Sequence, residues 1–179
     1  MRPMKPDPGI RVQAVRIPTE NGGMSALLLS PLAAPKNAAG ILWLHGGGYI
    51  AGMKEMVHAS RAVDLVKKFG AVVLSPGYRL ALKTPYPAAI DDCYAALLYL
   101  KAHAAAFGVR SDQLMVGGES AGVPAELDVY HSDMHAFDMM RPDDVLSIQA
   151  AEAFNTRFAD AQARFFAPQH EIQEERHDS

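Results

Sequence analysis

Gly118-Glu119-Ser120-Ala121-Gly122 fits the pattern GxSxG, in which a strand runs into a tight turn and leaves a serine hydroxyl standing above the sheet. A serine in that position is a nucleophile in waiting, and it needs two further groups. The first is a set of donors for the oxyanion that forms when a carbonyl is attacked. His45-Gly46-Gly47-Gly48 supplies a loop free of side chains, whose amides can point at such an oxygen. Gly47, Gly48 and Ala121 are the expected donors. A phosphate-cradling loop is the competing reading of a glycine run, but GxGxxG spacing and the Lys-Ser/Thr ending are both absent. The second requirement is a base. His135, in Asp133-Met134-His135-Ala136-Phe137, fits best, because an imidazole near its ordinary pKa takes the hydroxyl proton and returns it to the leaving group. His45 precedes the oxyanion donors on the same short turn and reads as a residue that orients the loop. His58 and His103 fall on helices, and His131 belongs to a strand end.

A carboxylate behind the base would complete a triad, and Glu126, Asp128 and Asp133 are the acids between Ser120 and His135. None is a convincing orienter; Asp133, two residues from His135, is the nearest substitute. Asp91 and Asp92 read as supports for their helix. His131, Asp133 and His135 alternate as metal ligands could, but without a fourth contributor, so no metal and no cofactor is expected. Tyr49, Tyr78 and Tyr86 read equally as lining of a substrate cleft and as packing. Cys93, the single cysteine, reads as packing.

The elements that must position these residues follow from periodicity. Residues 10–17 and 24–29 flank Asn21-Gly22-Gly23 and predict a hairpin. Apolar runs at 41–44, 71–75 and 114–118 have the length and composition of buried strands. Helical spacing over 55–69, closed by Gly70, and over 88–103 separates them, the second helix burying Ala89, Cys93, Ala96, Leu97 and Leu100. Strands alternating with helices predict an α/β unit with a mainly parallel sheet. A further strand at 125–130 and a helix over 145–166 follow, the helix presenting Ala151, Phe154, Phe158, Ala161 and Phe165 on one face. The expected organisation is one domain over 1–167 and a polar, disordered tail over 168–179.

Of the 179 residues 49% are hydrophobic and 21% charged, and the net charge is −3, which excludes a disordered chain and a basic nucleic-acid binder. Neither a signal-peptide core at the N-terminus nor an apolar run long enough for a membrane helix is present. The expectation is a cytoplasmic protein acting on a small molecule, with no nucleic-acid or membrane partner.

On these motifs the chain resembles the hormone-sensitive-lipase-like branch of the α/β-hydrolase superfamily, which holds esterases and acetyl esterases. The segments that carry the resemblance are LHGGGYIAG at 44–52, GYRLALKTPYPAAIDDC at 77–93, GGESAG at 117–122 and VPAELDVYHSDMHAFDMM at 123–140. The resemblance implies hydrolysis of short-chain carboxylic esters through an acyl-serine. It also implies an aspartate from a separate strand end to orient the histidine. This sequence departs from that pattern, because only 15 positions separate Ser120 from His135. The N-terminal cap, the helix after the elbow, two strands and the aspartate loop are therefore expected to be missing, which makes the fold a truncated α/β-hydrolase. Residues 121–124 reach about 14 Å, less than the roughly 16 Å height of a five-residue strand, so parallel return of 125–130 beside 114–118 is strained. Two other readings stand beside ester hydrolysis. One is a catalytically inactive remnant that binds or forms a homo-oligomer through an exposed sheet edge; the other is amidase chemistry on the same oxyanion loop.

Overall fold

The computed structural model of the chain describes residues 4–20, 22–119 and 141–165. Its strands are β1 (Ile10–Ile17), β2 (Met24–Pro31), β3 (Ala38–Leu44), β4 (Val72–Pro76) and β5 (Val109–Gly118). Its α-helices are α1 (Ala62–Phe69), α2 (Ala88–Ala102) and α3 (Val145–Phe165). The strands form one sheet in the order β1-β2-β4-β3-β5. This sheet is mixed rather than mainly parallel: β4, β3 and β5 pair in parallel, whereas β1 pairs with β2 and β2 with β4 antiparallel. The β1–β2 pairing follows from the predicted hairpin, since a short turn can join only antiparallel neighbours.

Both faces of the central strands are covered, which is why their sequences read as unbroken apolar runs. The pleat sends alternate residues to opposite sides. Leu42, Leu44, Val72 and Leu74 meet Ala89, Cys93, Ala96 and Leu100 of α2 in one cluster. Ile41, Trp43 and Val73 meet Ala62, Val63, Leu65 and Val66 of α1 in the other. Phe158 of α3 joins the α1 side, its ring centroid 5.0 Å from that of Phe69, and Phe154 stands edge-on to Trp43 at 6.3 Å.

Two elements depart from the periodicity. The helix expected over 55–69 is broken into a 3-10 turn, Lys54–Ala59, and α1. Ser60 lies between them in extended conformation; its hydroxyl donates to the Val57 carbonyl and accepts from the Ala62 amide. That is the competition a serine offers to a helix ladder. β5 begins at Val109, five residues before the expected start, and an irregularity in its pairing with β3 lies between the Ala38–Val109 and Gly40–Leu114 partners. Its polar opening hides it from a search for apolar runs. The strand candidate 125–130 and the tail 168–179 lie outside the described residues.

β3 lies between β4 and β5, and the chain reaches β4 over one face through α1 and β5 over the other through α2. The carboxyl end of β3 is therefore where the connections part, the place at which open α/β sheets bind their ligands.

Candidate functional site

Leu44 and Gly118, the last residues of β3 and β5, are direct partners in the parallel ladder. The Glu119 amide extends the pairing by donating to the Leu44 carbonyl at 3.2 Å. The glycine loop after β3 and Glu119 after β5 consequently leave the sheet side by side at the carboxyl ends of their strands. Contact here is too close for a side chain: a Cβ on Gly118 would lie 2.5 Å from the Leu44 carbonyl oxygen.

The loop is held from beneath. His45 is 1% exposed and its ring stacks on Tyr78, centroids 4.0 Å apart and planes 9° from parallel. The Tyr78 hydroxyl donates to the His45 carbonyl at 2.7 Å. His45 Nδ1 lies 2.9 Å from the Gly46 carbonyl, so the hydrogen-bond network assigns the ring proton to Nδ1. Burial pushes the His45 pKa below its ordinary value, partly opposed by the Gly46 carbonyl and the charge of Glu55. Burial pushes the Tyr78 phenol up. His45 is thus a neutral strut, in keeping with the orienting role its position suggests.

Above this strut Gly47, Gly48 and Tyr49 run at positive φ, 114°, 58° and 63°. At Gly47 a side chain would also collide with the Ala51 backbone carbonyl. The Gly47 carbonyl accepts from the amides of Ile50 and Ala51, closing the turn on its inner side. Gly47 and Gly48 are exposed, and among the described residues their amides serve no bond of that turn. Two preorganised amides on a rigid loop are what an oxyanion requires.

The loop is tied to the segment ahead of α2. Ala81 donates its amide to the Tyr49 carbonyl at 2.8 Å. Asp92, 3% exposed, accepts from the Arg79 amide at 2.8 Å and grips its guanidinium through both carboxylate oxygens at 2.9 Å. Asp92 therefore ties the loop before its helix to the first turns of that helix through Arg79. Of the three tyrosines Tyr78 is core, Tyr49 is half-buried and Tyr86 is exposed. The Cys93 thiol is pushed up to about 12 by burial, which makes it a packing group. The clamp of Tyr78 on His45 was not foreseen, although both residues fall in segments that carry the family resemblance.

Ser120, Ala121 and His135 lie outside the described residues, as do His131 and Asp133. Among the described residues the histidine hydrogen bonds run to carbonyls and to Tyr78, with no carboxylate partner of triad type.

Residues 41–129, which span the glycine loop and Ser120, match the family described as the α/β hydrolase fold. That segment is similar to the α/β-hydrolase superfamily. An AB hydrolase superfamily protein of Schizosaccharomyces pombe is 41% identical over 81 residues, 45% of this chain and 24% of that protein. Hormone-sensitive lipase of Bos taurus is 32% identical over 96 residues, 54% of this chain and 13% of the lipase. Among solved structures the carboxylesterase EstE1, cloned from a metagenomic library, superposes with a TM-score of 0.60 at 32% identity. The match covers 66% of this chain and 40% of EstE1. The chain thus spans well under half the length of each. It is related to ester hydrolases and lipases and carries part of the hydrolase fold. Among the described residues no helix is long and apolar enough to cross a membrane.

Proposed function

We propose that this α/β-hydrolase chain reacts with short-chain carboxylic esters through an acyl-serine on Ser120, with low turnover. The observation that carries the reading is the Leu44–Gly118 register, which sets the residue before His45 and the glycine loop beside a residue two positions before Ser120. In this reading Ser120 attacks the ester carbonyl, and the amides of Gly47, Gly48 and Ala121 receive the oxyanion. His135 takes the serine proton and delivers it to the departing alcohol; water then releases the acid from the acyl-serine. The names of the relatives, a carboxylesterase and a lipase, support the substrate class. Without a carboxylate to orient the imidazole, turnover falls by about 10⁴ while the oxyanion loop keeps the serine reactive.

The test exposes the full chain to an activated short-chain ester and to a serine-directed phosphonate, beside Ser120→Ala. Slow product release and one phosphonate per chain, both absent in the variant, are expected. Equal inertness of the two proteins overturns the proposal and leaves the second reading, a silent domain that binds or self-associates. The position of β5 at the edge of the described sheet favours that second reading.

A further inference from the structure

Most of α2 is apolar on both of its faces. The inward residues Ala89, Cys93, Ala96 and Leu100 fill the core, but Ile90, Tyr94 and Leu98, at i, i+4 and i+8, form a second stripe on the opposite side, each between 48% and 61% exposed. Tyr86 and Leu82, 82% and 79% exposed, lengthen it ahead of the helix. Together these side chains expose on the order of 600 Å², the size of the largest apolar patches found on monomers, which are often functional. A helix apolar all round belongs between two partners, and the described fold gives α2 one.

The charges at the ends of the stripe say what the other is. Asp91 and Lys101 are exposed and fall within the same hundred-degree arc of the helix as Tyr94 and Leu98, spaced three, four and three residues apart. An antiparallel second helix of the same sequence, related by a two-fold axis at the level of residue 96, sets Tyr94 against Leu98 of the second copy and Asp91 against Lys101 of the second copy. The pattern is self-complementary, as an isologous interface requires.

We infer that the outer face of α2 is a homodimer interface, with Tyr94 and Leu98 at its centre and two Asp91–Lys101 pairs at its rim. The surface differs from the sheet edge and does not depend on the ester-hydrolase reading. At about 600 Å² per copy it lies at the low end for a specific contact, so association in the micromolar range or weaker is expected.

Sedimentation velocity on the full chain, from a few micromolar to on the order of 100 µM, tests it. The expected result is a concentration-dependent dimer that Asp91→Lys and Lys101→Asp each weaken by about tenfold or more, because each variant faces like charge with like. Mixing the two variants in equal amounts restores a heterodimer, since both rim pairs of the mixed species again join opposite charges. All the changes lie on exposed positions, and circular dichroism confirms the fold of each variant. A chain that stays monomeric throughout overturns the inference. So does a dimer indifferent to both reversals, and so does a mixture that fails to recover.

Discussion

The buried pair His45 and Tyr78 determines how well the glycine loop is preorganised. The Tyr78 hydroxyl bonds the carbonyl that leads directly into the loop, so Tyr78→Phe leaves that buried acceptor without its donor and costs about 1–2 kcal/mol. A urea titration should show the loss, and phosphonate labelling should slow with it, whereas a purely structural tyrosine would alter the midpoint alone. Protonation probes the same spot. Burial depresses the pKa of His45, and of His58, below the ordinary 6.5, so below that value the unfolded chain binds protons that the folded one refuses. Stability therefore rises with pH through this window and falls as pH drops from 6.5 toward the depressed folded values. Urea midpoints at about pH 7.5 and about pH 5.5 should differ in that sense, and His58→Asn should remove part of the slope. The sequence shows where His45 sits but not its partner, since Tyr78 lies 33 positions away and meets it only once β3 and β4 are aligned. Gly47 was legible for the opposite reason: a positive φ is a local demand, and glycine is the local answer.

At the scale of elements, what could be read depended on whether the forming forces were local or tertiary. β1 and the interior of β4 fell where alternation and apolar runs put them, and α2 ended within a residue of its expected limits. Ser60 defeated the reading of 55–69, because apolar spacing continues through it while its hydroxyl diverts the backbone. Ser60→Ala should lower stability by about 1 kcal/mol, measured by urea titration, as the extended linker loses both of its side-chain bonds. The long helix α3 depends on tertiary support. Phe158 is 7% exposed against Phe69, and Phe158→Ala should cost about 3 kcal/mol. Limited proteolysis should then cut within 145–165 sooner than in the parent chain, while cleavage sites in β3 and β4 stay protected; unchanged cutting would mean that α3 does not depend on this contact.

For the molecule as a whole, the described fold carries the glycine loop at the carboxyl end of its parallel core and leaves a helix face with a self-complementary pattern. The loop and the centre of the stripe lie apart: the loop is at the carboxyl ends of β3 and β5, and Tyr94 and Leu98 are on the outer face of α2, away from the core it shares with those strands. Leu82, next to the Ala81 tie to Tyr49, lies outside that centre. Association through α2 should therefore leave Ser120 chemistry untouched. The rate of phosphonate labelling per chain is expected to be the same at concentrations below and above the dimerisation range, and the same in Asp91→Lys as in the parent chain. The alternative has a distinct signature. Were labelling to appear only as dimers form, a second copy would be completing the site around Ser120. The assignment of the reaction to one chain would then give way to a shared active site. Labelling at dilution, by contrast, places nucleophile and oxyanion donors within a single chain, as the pairing of Leu44 with Gly118 leads one to expect.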